Sequence, residues 1–101
     1  MGYPMVKIKD ENEEKQQIIF RTWCRKGKIL ANNGKYSEAI NCYNRALQIR
    51  PDHADMWYEK GLALYHMNQY DDALKSFSDS LRINSKDSDA WYAMGTTFFL
   101  I

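Results

Sequence analysis

The feature that most constrains the fold is a period of 34 residues that runs through most of the chain. Three tryptophans are separated by that step, and each is followed four residues later by a glycine. The pairs are Trp23 with Gly27, Trp57 with Gly61, and Trp91 with Gly95. Residues four apart share one face of an α-helix, so each pair marks the same helical face. This period predicts a stack of similar units in which each unit contacts its neighbours.

A second set of apolar positions recurs later in each unit. These matched pairs are Ala39 and Ala73, Tyr43 and Phe77, Leu47 and Leu81, and Ile49 and Ile83. Their spacing of three to four residues predicts a second amphipathic helix in each unit. Gly34 and Asn68 lie between the two helices, and both residue types tolerate the left-handed conformation that ends a helix. We therefore expect antiparallel helical hairpins in which the small Gly61 lets a neighbouring helix approach and Trp57 is largely buried.

This pattern resembles the tetratricopeptide repeat family, whose unit reads W-x2-L-G-x2-Y, then A-x3-F, then P. The unit 54–87 matches it with Trp57, Gly61, Ala73 and Phe77. The departures are Lys26 and Lys60 at the family's Leu position, Leu64 at its Tyr position and Ser85 at its final Pro position. A lysine can lay its methylenes along an apolar surface, and a proline outside a helix can be lost without breaking the helix.

The resemblance implies an all-α fold, a right-handed superhelix of antiparallel helix-turn-helix repeats. The predicted division is an N-terminal tail with the start of an extended first helix (1–19), a first repeat (20–53), a second repeat (54–87), and the first helix of an incomplete third repeat (88–101). Asp10 followed by Glu13 resembles a capping box, which predicts a first helix from near Glu11 through Asn32. Residues 1–9 are predicted to be a flexible tail.

For function, the resemblance implies a non-catalytic scaffold that binds a peptide or partner protein in a concave groove lined by the first helix of each repeat. The predicted peptide-binding residues are Lys28, Tyr58, Leu62, Tyr65, His66, Tyr92, Thr96 and Phe99. Cys24 and Asn32 align with the same face. Most of these side chains are aromatic or apolar, and tyrosine is well suited to protein interfaces. Binding is therefore expected to depend on aromatic contact more than on charge.

One subclass of the family binds the acidic C-terminal tails of heat-shock chaperones with two lysines, two asparagines and an arginine. The aligned positions here are Cys24, Lys28, Glu59, Asp89 and Ala93. A single cation remains, and the two carboxylates would repel an acidic tail. The sequence therefore argues against chaperone-tail recognition by that clamp.

Charge is unevenly distributed along the repeats, although the formal net charge is only +1. The first repeat has seven Lys and Arg against two Asp and Glu, a net charge of +5, and the second has four against six, a net charge of −2. An acidic partner would be steered toward the first repeat. Ordinary solvated helix faces explain the same pattern at least as well. Nothing in this balance indicates a nucleic acid or membrane partner.

The residues that could support catalysis, a cofactor or a metal show no recognised arrangement. Cys24, Cys42, His53 and His66 have neither a Cys-x2-Cys nor a His-x3-His spacing, and the glycines form no phosphate-binding loop. No nucleophile is paired with a base in a familiar order. The sequence thus predicts no enzyme activity, no cofactor and no metal, with free thiols in a reducing, cytoplasmic setting.

Two alternative functions remain open because of the apolar residues 98–101. Arrays of this kind normally end in a helix with a polar outer face, whereas this stretch reads Phe-Phe-Leu-Ile. The chain could be an oligomerisation module that pairs through its C-terminal helix. It could also be a regulatory fragment of a larger multidomain protein.

Overall fold

The computed structural model describes residues 5–101, with side chains from residue 11 onward, and the regular secondary structure of that part is all α-helix. The helices are α1 (Met5–Asn32), α2 (Tyr36–Ile49), α3 (Ala54–His66), α4 (Tyr70–Ile83) and α5 (Ser88–Leu100). The predicted all-α class is confirmed. Helices α3 and α5 begin at the first residues of the predicted second and third repeats.

Helix α1 is twice as long as the others and begins earlier than the capping pattern predicts. It starts at Met5 rather than near Glu11, so Asp10 lies inside the helix instead of at its N-terminus. Residues 5–10 contain no glycine or proline to stop the helix, whereas Pro4 immediately precedes it. The predicted end at Asn32 is confirmed. The flexible tail predicted for residues 1–9 is wrong for residues 5–9, which belong to α1, and residues 1–4 lie outside the described residues.

The turns inside the two hairpins have the same geometry. Gly34 and Asn68 adopt positive φ angles of 79° and 62°. The Lys35 amide donates a hydrogen bond of 2.8 Å to the Leu30 carbonyl, and the second hairpin has the equivalent bond at 2.9 Å. This hydrogen bond joins the N–H of the sixth residue of the turn to the carbonyl of the first, which is the mark of a Schellman motif. The motif stabilises a helix end where glycine or asparagine occupies the left-handed region. The predicted role of Gly34 and Asn68 is confirmed.

Close contact between an aromatic ring and a glycine joins the helices of each hairpin. A Cβ atom built on Gly27 would lie 2.5 Å from Cε1 of Tyr43, and one built on Gly61 would lie 2.5 Å from Cε1 of Phe77. Both rings are 0% exposed. The ring of the second helix therefore rests directly on the backbone of the first, at a distance that only glycine permits.

The tryptophans join successive repeats. Trp57 is partly buried, and its indole donates a 2.8 Å hydrogen bond to the Pro51 carbonyl. Trp91 makes the same 2.8 Å bond to the Ser85 carbonyl. Because the acceptor is a backbone atom, serine replaces the family's proline without loss of the contact. The Lys60 ammonium lies 5.2 Å from the centroid of the Trp57 ring, a cation–π contact at a position where the family usually has leucine.

Candidate functional site

A concave pocket lies between α3 and α5, and we call it the aromatic pocket. Its volume is about 290 Å³. The residues that line it are Tyr58, Leu62, Tyr65 and His66 from α3 and Asp89, Tyr92, Ala93 and Thr96 from α5. Six of the eight residues predicted from the sequence come together here, and Lys28 and Phe99 do not.

Two tyrosines of the aromatic pocket pack against aromatic rings of α4. The Tyr58 ring lies 5.9 Å from the Phe77 ring, and the Tyr65 ring lies 5.8 Å from the Tyr70 ring in an edge-on arrangement. Aromatic pairs at these distances stabilise each other beyond their buried area. Tyr92, in contrast, is 78% exposed. The pocket therefore combines preformed walls with one large ring that is free to contact a ligand.

The polar groups of the aromatic pocket are few. The Thr96 hydroxyl donates a 2.9 Å hydrogen bond to a carbonyl of its own helix, and the His66 ring stacks on Tyr36 with centroids 5.0 Å apart. Burial raises the pKa of Tyr58, and the nearby Asp89 carboxylate raises it further. Tyr58 therefore remains a neutral phenol at physiological pH. Asp89 is the one acidic side chain among the described residues that line this pocket.

A second, larger cavity lies along α1 and reaches the start of α3, and we call it the basic pocket. Its volume is about 540 Å³. The lining residues are Gln17, Phe20, Arg21, Cys24, Arg25, Lys28, Ile29, Asn32, Arg50, His53 and Met56. Among these described residues four are Lys or Arg, and none carries a carboxylate. The first repeat therefore presents cations where the second presents tyrosines.

The two pockets share a register. Cys24, Lys28 and Asn32 line the basic pocket and precede Tyr58, Leu62 and His66 of the aromatic pocket by 34 residues. Equivalent positions of successive repeats thus face the same side of the molecule with different chemistry. This places the predicted Lys28 on the expected face but in a separate cavity from the other predicted residues.

Phe99 lies apart from both pockets and is 89% exposed. Its equivalent one repeat earlier is Tyr65, which packs against Tyr70 at the start of the following helix. Within the described chain no helix follows α5, so Phe99 has no such neighbour. Its predicted place in the groove is therefore not supported by its position.

The aligned clamp positions are divided between the cavities. Cys24 and Lys28 line the basic pocket, and Asp89 and Ala93 line the aromatic pocket. Glu59 is partly buried. Burial raises the pKa of Glu59, the Lys28 ammonium opposes this shift, and Asp55 adds to it. The clamp positions therefore do not form one cationic site for a carboxylate.

The cysteines of the structure show no sign of an activated nucleophile. Cys24 and Cys42 are both free thiols. Burial raises the pKa of Cys24, although the charges of Lys28 and Arg50 act in the opposite direction. A thiol with a raised pKa is mostly protonated at neutral pH and is a poor nucleophile.

In the part of the chain that the structure describes, no three metal-ligating side chains cluster together. No described helix is long and apolar enough to span a membrane.

Comparison with known protein families places these observations in context. A family model described as "TPR repeat" matches residues 27–68, and a second described as "Tetratricopeptide repeat" matches residues 54–87. The chain belongs to the tetratricopeptide repeat family. The matched segments together include both hairpin turns and α3, the helix that supplies half of the aromatic pocket. No curated protein matches this tetratricopeptide repeat protein over its sequence.

Solved tetratricopeptide repeat structures resemble the fold closely. The structure described as "Second TPR of Spaghetti (RPAP3) bound to HSP90 peptide SRMEEVD" superposes with a TM-score of 0.80 at 24% identity, covering 86% of this chain and 82% of that chain. The first such domain of the same protein, bound to the same peptide, has a TM-score of 0.77 at 21% identity, covering 79% of this chain and 64% of that chain. At this level of identity the likeness supports the fold alone.

The sequence of this tetratricopeptide repeat protein predicted more of the residues that line the aromatic pocket than of those that line the basic pocket. The basic pocket also contains Arg21, Arg25, Arg50 and His53, which were not among the predicted site residues. Arg21 and Arg25 precede Asp89 and Ala93 of the aromatic pocket by two periods of 34 residues, whereas Arg50 and His53 lie off this register in the loop between α2 and α3. The signal that could have found them is the net charge of +5 in residues 20–53.

Proposed function

We propose that this tetratricopeptide repeat protein is a non-catalytic scaffold that holds a partner protein or peptide against its concave face. The observation that carries the proposal is the aromatic pocket, where eight side chains from two helices surround a volume of about 290 Å³. A cavity of this size accommodates one or two large side chains of a ligand. Protein interfaces concentrate their binding free energy in such anchors, particularly tyrosine, tryptophan and arginine.

The chemistry of the pocket favours an apolar or aromatic anchor on the ligand. Leu62 and Ala93 line the pocket between tyrosines, and the charged group there is Asp89. A carboxylate entering it would lose water and meet a like charge, which is unfavourable on both grounds. An acidic ligand end would be attracted instead toward the basic pocket. This separates the proposed ligand from peptides such as SRMEEVD, with which the two similar structures were solved.

The test begins with a peptide library screened against the purified chain, followed by titration of the selected peptides against variants. Tyr92→Ala removes the most exposed ring of the pocket and should weaken binding by about 1 to 2 kcal/mol, or roughly 5- to 30-fold. Phe99→Ala is the matched control, since it removes another highly exposed aromatic ring from the same helix outside the pocket. It should leave the affinity within about twofold of the wild type.

Lys28→Ala and the SRMEEVD peptide complete the test. An exposed cation steers association more than it holds a complex, so Lys28→Ala should act mainly on the association rate and the salt dependence. SRMEEVD should bind more weakly than the selected peptides. Selection of acidic tails that are sensitive to Lys28→Ala and indifferent to Tyr92→Ala would overturn the proposal.

A further inference from the structure

One part of the aromatic pocket combines two tyrosine rings with a carboxylate. Tyr58 comes from the first two turns of α3, and Asp89 and Tyr92 come from the first two turns of α5. Asp89 and Tyr92 are three residues apart, so they lie on one face of α5. Leu62 and Ala93, four residues further along each helix, are apolar. The pocket therefore has an acidic, aromatic part beside an apolar one.

The electrostatic potential around Tyr58 is negative. Burial raises the pKa of Tyr58, and the carboxylates of Asp89, Glu59 and Asp87 each raise it further. They do so because negative charges disfavour the phenolate that deprotonation would create. Among the described residues that line the aromatic pocket, none is a lysine or an arginine. The field that opposes a phenolate would stabilise a cation beside the ring.

The Asp89 carboxylate has no cationic partner within the described chain. The one ion pair between described side chains joins Arg82 to Asp79, at 2.9 Å. Asp89 lies in the first turn of α5, where the helix dipole favours its negative charge. The dipole explains an acid at this position, and the two tyrosine rings beside it add the capacity to bind a cation.

Elsewhere in the molecule an aromatic ring receives a cation of the chain itself. The Arg45 guanidinium lies 4.9 Å from the centroid of the Trp23 ring, which is a cation–π distance. Among the described residues no lysine or arginine lies in this way over Tyr58 or Tyr92. Tyr92 is also 78% exposed. Its ring face is therefore accessible to a cation from another molecule.

We propose that this part of the aromatic pocket binds an arginine side chain of the ligand, stacked against Tyr58 and Tyr92 with its guanidinium paired to Asp89. Arginine fits better than lysine because its planar guanidinium stacks on aromatic faces and forms two parallel hydrogen bonds to a carboxylate. Its methylene stem lies along Leu62 and Ala93, beside the apolar anchor. The inference rests on the proposed function, because it assigns a chemistry to a ligand held in the same pocket.

The experiment measures this contact without a selected peptide. The probe is N-acetyl-arginine amide, and the matched control is N-acetyl-citrulline amide, in which an uncharged urea of similar shape replaces the guanidinium. Each is titrated into the isotope-labelled full chain at low, constant ionic strength, and NMR follows the resonances of Tyr58, Asp89 and Tyr92. The arginine probe should bind with a Kd of about 1 to 10 mM, as expected of a single side chain. The citrulline probe should bind about fivefold more weakly, or worse.

Variants separate the contribution of the charge from that of the rings. Asp89→Asn removes the charge with little change in shape and should weaken the arginine probe about threefold or more. Asp72→Asn is the control, because it removes an exposed carboxylate from the first turn of α4, outside the pocket. Tyr92→Ala should also weaken the arginine probe about threefold or more. Tyr92→Phe keeps the ring face and should bind within about twofold of the wild type.

Two results would overturn the inference. The first is equal binding of the arginine and citrulline probes, and the second is unchanged arginine binding by Asp89→Asn. Failure of the proposed function looks different. In that case the arginine probe still binds at Asp89, whereas the peptide library selects nothing that depends on Tyr92. Selected peptides that depend on Tyr92, together with a probe that shows no preference for arginine, would contradict this inference alone.

Discussion

Helices α3 and α5 have the same length and the same Trp-x3-Gly pattern, yet they differ in how much of that pattern is buried. In α3 the glycine is covered by Phe77, and Leu64 is 7% exposed. In α5 a Cβ built on the glycine would meet no described atom within 4 Å beyond its chain neighbours and the backbone of its own helix, and Phe98 is 59% exposed. Both helices pack on the helix before them. The two helices differ in burial only on the face that α4 covers in α3 and that no described helix covers in α5.

This comparison separates what the motif provides from what the neighbouring helix provides. The pattern by itself forms a helix and the indole contact to the preceding loop, which Trp57 and Trp91 share. Burial of the glycine face requires a second helix that carries the ring. In repeat proteins stability is approximately a sum of unit and interface contributions, so substitutions at equivalent positions of α3 and α5 should have different effects.

The largest difference is expected for the ring that covers α3. Phe77→Ala removes a side chain that is 0% exposed and should lower the free energy of unfolding by about 3 to 5 kcal/mol. Phe98→Ala makes the same truncation in α5, where the ring is 59% exposed, and should cost less than about 1 kcal/mol. Urea denaturation midpoints measure both. Similar losses in the two variants would contradict the comparison.

Alanine substitutions at the two glycines are expected to change the free energy of unfolding by smaller amounts and in opposite directions. Gly61→Ala gains about 1 kcal/mol of helix propensity, but its Cβ would lie 2.5 Å from a buried ring. Overpacking of this kind costs about 1 to 3 kcal/mol, so we expect a net loss of up to about 2 kcal/mol. Thermal unfolding of the variant checks the direction. A more stable Gly61→Ala chain would mean that the Phe77 ring is free to shift.

At Gly95 the same substitution should stabilise the chain. No atom of the described chain is near enough to clash, so the helix propensity of alanine acts alone, and Gly95→Ala should gain about 0.5 to 1 kcal/mol. The two alanine variants can be compared in one series of denaturation curves. A loss of stability at Gly95 would show that something already covers this face of the isolated chain.

The smallest expected effect is a pH dependence of the stability. It comes from Glu59 in α3, a position that is Ala93 in α5. Burial raises the pKa of Glu59 above its ordinary value of 4.5, so the folded chain keeps a proton that the unfolded chain releases. The carboxyl therefore lowers stability as pH rises from about 4.5 through its folded pKa, and the loss is complete above that value.

Glu59→Gln should remove this pH dependence. The variant should lose less stability than the wild type between pH 4.5 and 7.5, by about a few tenths of a kcal/mol because the group is partly solvated. Denaturation midpoints across that range measure the difference. Glu38→Gln, at an exposed carboxyl of α2, is the control. Parallel profiles for wild type and Glu59→Gln would show that burial of this carboxyl has no effect on stability.

The helices and the aromatic pocket could be predicted because both follow from one period. The 34-residue register fixes which positions share one helical face, so Tyr58, Leu62, Tyr92 and Thr96 could be assigned to one face from the sequence alone. The turns at Gly34 and Asn68 could be predicted because few residue types tolerate a positive φ. These features depend on local sequence and on repetition.

The features that could not be predicted depend on neighbours outside that register. The basic pocket includes Arg50 and His53 from the loop between α2 and α3, which the groove register of the first helices does not cover. Phe99 was assigned to the groove by alignment with Tyr65, but Tyr65 packs against Tyr70 at the start of the following helix, and the described chain contains no helix after α5. The start of α1 was misplaced because a capping pattern at Asp10 does not by itself end a helix on its N-terminal side.

The claim that a partner is held in the aromatic pocket is tested most directly by mapping a selected peptide onto the chain by NMR. Amide and aromatic resonances of the labelled chain are followed as the unlabelled peptide is added. The account predicts that the largest shifts fall on Tyr58, Leu62, Tyr92 and Ala93. Largest shifts at Arg21 and Lys28 in the basic pocket, or across the open face around Gly95, would contradict it.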